Sequence, residues 1–293
     1  MSAYPALAVF AAPARKRGEL WRTVMGLMLI GVLSWAAVFA VLGLIGLRLG
    51  ELRFARLLAE IARAASPEGL MMLLATFAPM VLATLAITRA LHCRSAATLF
   101  GPGALRDFLR IVGPLVGLAL LLAPLAALDG NVGRSVPPLT VLSWMPLALP
   151  LLLVQVGAEE LIFRGYLLQQ LAQRFRSRWI WMVIPSALFG ALHYAPGDFG
   201  PNAIWMVLWA MGFGCLAADL TARAGNLGPA LAFHFANNLS AMFLVGLYGQ
   251  LDGLSLYTIV INARDPAAVA PYLLIDSISM GVSWLLARLI LRR

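Results

Sequence analysis

The stretch Val156-Gly157-Ala158-Glu159-Glu160-Leu161-Ile162-Phe163-Arg164 sets an adjacent acid pair and an arginine in an apolar run. Glu160 and Arg164 stand four apart with the acid first, so they can meet on one helix face. Glu159 lies about 100° around the helix and cannot share Arg164 in the same way. One carboxylate is thereby neutralised while the other stays available. Phe189-Gly190-Ala191-Leu192-His193 closes a second apolar run on a histidine. His234-Phe235-Ala236-Asn237-Asn238 puts His234 and Asn238 one turn apart on a third, with Asn237 pointing elsewhere. Each motif alone has a plain alternative: a solvated helix end, an interface histidine, a polar bond between neighbouring helices. Together they place two of the three histidines, the adjacent acid pair and a paired asparagine in the C-terminal half of the chain.

Glu, two His and Asn are what peptide hydrolysis requires in the absence of a nucleophilic Ser or Cys. A carboxylate takes a proton from water, an imidazole orients it, and polar donors hold the oxyanion. Glu159, His193 and His234 could also hold zinc. HExxH is absent, so such ligands would have to converge from three separate helices.

The elements that must position these residues are membrane helices. Hydrophobic residues make up 61% of the 293 and charged residues 12%, at a mean hydropathy of +0.87. Soluble chains are about 25% charged, so this composition cannot cover a water-facing surface. It predicts an all-α, polytopic transmembrane bundle of about eight spans. They fall near Thr23–Leu47, Gly69–Leu91, Phe108–Leu128, Leu139–Gln170, Trp179–Tyr194, Asn202–Thr221, Leu227–Leu247 and Pro271–Leu291. Most contain no charge. Trp21, Trp144, Trp179 and Trp181 near span ends fit an aromatic belt. Glu51–Ile61 has apolar residues at helical spacing among mixed charges and reads as a short interfacial helix near 51–65.

The net charge of +9 is topology rather than a nucleic-acid face. With the N-terminus in the cytoplasm, sixteen basic residues fall inside and six outside, and both termini are cytoplasmic. No soluble basic domain or RNA-binding motif is present. The apolar stretch Ala3–Ala14 precedes the cluster Arg15-Lys16-Arg17, the reverse of a signal peptide, so the first span is expected to stay as an uncleaved anchor. Cys93 and Cys215 form no CxxC pair and read as idle thiols, and His92 reads as ordinary surface beside Cys93 and Arg94.

EExxxR, FxxxH and HxxxN, in this order on a polytopic helical domain, resemble the CPBP family. These are the CAAX proteases and bacteriocin-processing enzymes, also called the Abi or type II CAAX prenyl endopeptidase family. Gly225-Asn226-Leu227-Gly228-Pro229-Ala230 also has that family's look. The resemblance covers Leu139 to about Leu247. It divides one membrane domain into N-terminal helices (1–138), a catalytic core (139–247) and an outer loop with a last helix (248–293).

The resemblance implies that Glu159 is the general base and that His193 helps it activate water. His234 and Asn238 would hold the oxyanion, with Glu160 and Arg164 in support. It leaves both a metal-free glutamate mechanism and a zinc mechanism open; Asn238 beside His234 favours the former, with no cofactor. It also implies a membrane-associated protein or peptide substrate, lipidated and CAAX-like or bacteriocin-type, met among membrane lipids, with a bacterial cytoplasmic membrane as the expected location. A proton-coupled transporter is the main alternative, weakened by the lack of inverted repeats; a non-catalytic immunity factor or scaffold is another. For Glu159 and His193 to meet, the fourth span is expected to begin after Pro150 or the fifth to kink at Pro185, the first being preferred.

Overall fold

The computed structural model describes residues 4–292. Ala3 of the N-terminal apolar stretch and Arg293 of the basic tally lie outside the described residues. Helix α1 (Pro5–Ala11) precedes α2 (Leu20–Leu49) and α3 (Glu51–Arg63). Then come α4 (Pro67–Ala75), α5 (Ala78–His92), α6 (Ala104–Leu122) and α7 (Pro138–Glu160). The chain continues through α8 (Leu168–Arg174), α9 (Ile184–Ala191), α10 (Pro196–Phe199), α11 (Ala203–Ala224), α12 (Gly228–Leu239) and α13 (Pro266–Leu291).

Among the described residues six stretches are long and apolar enough to cross a membrane, making this an integral membrane protein: Leu20–Leu49, Pro67–His92, Ala104–Leu128, Pro138–Arg174, Pro196–Ala224 and Pro266–Leu291. The expected eight are thus reduced by two. Trp179–Ala191 is too short, since 13 residues rise about 20 Å against a hydrocarbon core of about 30 Å. α12 is also short, and it is buried along almost its whole length between α6, α7, α11 and α13. Its apolarity serves the protein interior, which a hydropathy reading cannot tell from lipid.

The chain gathers its connections at two ends. At one, strands β1 (Val132–Arg134), β2 (Val245–Leu247) and β3 (Tyr257–Ile259) form a small sheet in the order β1-β3-β2. β1 is antiparallel to β3, with Val132 opposite Ile259, and β2 runs parallel to β3, with Val245 opposite Tyr257. At the other end Leu227 donates its N–H to the Phe100 carbonyl at 2.8 Å, and His92 Nδ1 bonds the Arg17 carbonyl at 2.8 Å. α3 buries no residue and carries Phe54, Leu57, Leu58 and Ile61 along one side, as expected of an interfacial helix.

α7 does not wait for Pro150. It starts at Pro138 and accommodates both Pro146 and Pro150 internally, as membrane helices can when neighbours satisfy the freed backbone groups. Glu159 comes to mid-span because the stretch runs on to Arg174, passing through a π-helical turn at Leu161–Leu167. Two more π-helical turns lie at Trp179–Val183 and Ser240–Leu244. The first motif runs into the first of these turns and the third ends two residues before the last, a feature that recurs at functional sites.

Small residues set the closest crossings. A side chain at Gly190 of α9 would meet the Val207 carbonyl of α11, and one at Gly214 would meet Ser186. Gly228 opens α12 hard against α6, where a Cβ would overlap the Ala104 carbonyl oxygen and sit 2.8 Å from the Phe108 nitrogen. Asn226 fixes the entry: its Oδ1 accepts from Gly228 N and its Nδ2 donates to Asp107 Oδ2, both at 2.9 Å. Gly228→Ala should therefore destabilise the protein by about 1–3 kcal/mol, the usual cost of overpacking. Gly117→Ala on α6, where nothing lies within 4 Å, should be neutral or stabilising. Thermal unfolding in detergent separates the two; equal midpoints would contradict the close α6–α12 crossing.

Candidate active site

The site assembles on the C-terminal half of α7 and the middle of α12. Every residue from Glu160 to Leu171 is buried, so the Glu160 carboxylate and the Arg164 guanidinium are both withdrawn from solvent. Arg164 Nη1 donates to Glu160 Oε1 at 2.9 Å. The same oxygen lies 2.8 Å from His234 Nδ1. With Glu160 a carboxylate, that bond requires the proton on Nδ1, and the ring then presents Nε2 to its other side. There Nε2 is 3.4 Å from Glu159 Oε2. One imidazole is thus bracketed by two adjacent carboxylates that point to different faces of α7, and Glu159 retains a side-chain exposure of 16%.

The surroundings are aromatic. Phe213 meets the His234 ring edge to face at a centroid distance of 4.9 Å, and Phe189 does so at 6.0 Å. The Arg164 guanidinium lies 4.8 Å from the Phe189 ring centre, a cation–π contact that satisfies part of its charge without water. Phe163 and Phe233 back these rings. In such a wall the local dielectric is low and interactions between charges are strengthened.

Asn238 lies one turn beyond His234, and its Nδ2 donates to Gln155 Oε1 at 2.9 Å. Asn237 does not point away; its Nδ2 donates to Asn238 Oδ1 at 3.2 Å. Gln155 is buried and stands one turn before Glu159 on α7. Sequence reasoning missed it, although a polar residue four before an acid in an apolar run is a detectable signal.

His193 is placed differently. It follows the end of α9, is exposed, and its Nδ1 bonds the Phe189 carbonyl at 2.9 Å. Its ring lies 4.7 Å from Phe189, the same ring that His234 meets at 6.0 Å. The structure therefore joins Glu159, Glu160, Arg164 and His234 directly, bonds Asn238 to Gln155 one turn before Glu159 on α7, and sets His193 against the Phe189 ring that His234 also touches. Among the described residues no three His, Cys, Asp or Glu side chains converge as a metal-holding group. Glu159 and His234 could share an ion, but His193 does not join them in this arrangement.

Two other polar clusters escaped the sequence reading. His92, expected at the surface, is buried: its Nε2 lies 2.7 Å from the Tyr166 hydroxyl, just past Arg164. Neighbouring Arg94 bonds Gln169 Oε1 at 2.7 Å, and burial pulls its guanidinium down to about 10. Asp219, an acid inside α11, receives hydrogen bonds from Tyr4, Arg223 and Trp284 and clasps α1, α11 and α13 together. Both clusters tie the core helices to the chain's N-terminal segment.

Removing one partner of a buried ion pair leaves an uncompensated charge, at about 3–5 kcal/mol. Arg164→Met should lose that much stability, and Glu160→Gln combined with Arg164→Met should recover part of it. Denaturation in detergent measures both. An Arg164→Met protein as stable as wild type would show that the pair does not anchor the helix.

The comparisons with known proteins fall on this same region. Residues 141–240 match the family described as Rce1-like, type II CAAX prenyl endopeptidase Rce1-like. Over 111 residues the chain is 33% identical to the uncharacterized protein YyaK of Bacillus subtilis (strain 168). That match covers 36% of this chain and 37% of YyaK, so the two are alike over little more than a third of their length. No solved structure matches. The matched segment holds Glu159, Glu160, Arg164, His193 and His234 with Asn238, and it is similar over that stretch to the Rce1-like, type II CAAX prenyl endopeptidase family.

Proposed function

We propose that this protein is an intramembrane endopeptidase that cuts a peptide bond in a membrane-associated substrate. The observation that carries the reading is the bracketing of His234 between Glu160 and Glu159, with an Asn238–Gln155 amide pair one turn away. In this proposal Glu159 removes a proton from water, and the oxygen attacks the scissile carbonyl carbon. The carbonyl π pair moves onto oxygen, where His234 and Asn238 stabilise the charge. The C–N bond then breaks, and the proton held on Glu159 passes to the leaving nitrogen.

Each supporting contact has a task in this scheme. Glu160 fixes the orientation of His234 through Nδ1. Arg164 neutralises Glu160, so the second carboxylate does not compete with Glu159 for the proton. His193 is assigned the assisting role on the water. The rearrangement it needs is release from its bond to the Phe189 carbonyl, consistent with catalytic bonds that tighten only when substrate is present. We favour a glutamate mechanism without metal, because the donors around His234 are already engaged by carboxylates and an amide pair. A zinc site at Glu159, His193 and His234 would require His193 to move in from its place on Phe189 and the Phe189 carbonyl.

The substrate class is proposed from the family alone: a lipidated, CAAX-like peptide or a bacteriocin-type precursor, presented at the membrane. A multi-pass location in a bacterial cytoplasmic membrane is proposed with it, both termini cytoplasmic on the strength of the basic-residue bias. Purified protein in liposomes, given a library of membrane-anchored peptides, should release cleaved products. Glu159→Gln should lower turnover by about 10²–10⁴-fold, the range for loss of a general base. Cleavage surviving both Glu159→Gln and His193→Ala would reject the site. Inhibition by chelator and restoration by zinc would replace the glutamate mechanism by a metal one.

A further inference from the structure

We infer that Gln155 is itself an oxyanion donor, a catalytic residue outside the three motifs; this rests on the hydrolase reading above. The Asn238 side chain is held at both ends of its amide. Its Oδ1 accepts from Asn237 Nδ2, and one proton of its Nδ2 goes to Gln155 Oε1. The Asn238 amide is therefore fully oriented, with a single N–H to spare. Gln155 uses only its Oε1 in that bond, and its Nε2 donates to nothing among the described residues. Nor is Nε2 one of the buried atoms sealed from solvent without a partner, although the residue as a whole is 95% buried, at 5% exposure. Two adjacent amides thus present free N–H groups on the side of α7 that carries Glu159.

The spacing suits the reaction. Gln155 and Glu159 are four residues apart on α7, hence on one face and about 6 Å apart along the axis. A water held at Glu159 and a carbonyl oxygen held at Gln155 are then separated by the span of a tetrahedral intermediate, in which the two oxygens share one carbon. During attack the water oxygen forms a bond to that carbon, the C=O π pair becomes the oxyanion, and the water proton goes to Glu159. Gln155 Nε2–H and the remaining Asn238 N–H bond the oxyanion, while Gln155 Oε1 holds Asn238 in place. A bare amide donor costs little in the ground state and strengthens as charge develops.

The test uses the full-length protein in liposomes with a membrane-anchored fluorogenic peptide. Gln155→Leu should lower kcat by about 10²–10³-fold, the effect of losing one oxyanion donor, with KM changed less than about threefold. The pH profile of kcat/KM should keep its acid limb, because Gln155 does not titrate. Gln155→Glu keeps an acceptor for Asn238 but no donor, so it too should lose turnover. It guards against a folding defect in the leucine variant. Wild-type turnover in Gln155→Glu would show that Gln155 only positions Asn238, and unchanged turnover in Gln155→Leu would remove it from the reaction; either overturns the inference and leaves the hydrolase reading standing. A wild-type protein that cleaves no peptide rejects both.

Discussion

The buried pair of Glu160 and Arg164 is the interaction on which the rest of the site depends. Inserting a lone charge at the centre of a membrane helix costs on the order of 2.5–3.5 kcal/mol, and an unpaired one inside the protein costs more. The pair removes that cost locally, within one turn of α7 and its π-helical continuation. It then does something a neutral pair could not: its carboxylate oxygen also holds His234 Nδ1, so α12 is tied to α7 at the site itself. The orientation of the imidazole, the side it shows to Glu159 and the placing of Asn238 one turn on all follow from that single oxygen.

Holding α12 there needs close backbone approach as well as charge. Gly228 and Asn226 bring its first turn onto α6 and Asp107, while at the far end its π-helical turn runs into β2 of the small sheet. The helix is thus fixed at both ends and in the middle by three different means. Its shortness, with that of Trp179–Ala191, leaves six long apolar helices rather than eight as candidate spans among the described residues. The short helices bring functional side chains into the bundle without having to meet lipid along their whole length.

Local features of this site were legible in the sequence, and non-local ones were not. Glu160 with Arg164, and His234 with Asn238, are each one turn apart, so helical spacing alone pairs them. The amphipathic α3 and the helical fold class follow from periodicity and composition for the same reason. Gln155 and Asn238 are 83 positions apart, and His92 and Tyr166 are 74; nothing in the spacing of either pair announces a contact. The fourth span near Leu139–Gln170 agrees with the observed stretch, but the start expected after Pro150 to bring Glu159 to mid-membrane does not: Pro146 and Pro150 sit inside α7. His193 shows the opposite failure: its motif is plain, yet its side chain bonds the Phe189 carbonyl and packs on the Phe189 ring, with no bond to Glu159 among the described residues.

The proposed chemistry turns on one geometric claim, that Glu159 and the Asn238–Gln155 amides address the two oxygens of the same tetrahedral centre. The most direct measurement is an experimental structure of the protein with a membrane-anchored peptide phosphonate bound, since its tetrahedral phosphorus carries two oxygens in place of water and oxyanion. The account predicts one phosphonyl oxygen against Glu159 and the other about 2.7–3.1 Å from the amide nitrogens. A phosphonate bound with Glu159 and Asn238 on no common atom, or held elsewhere in the bundle, would contradict it.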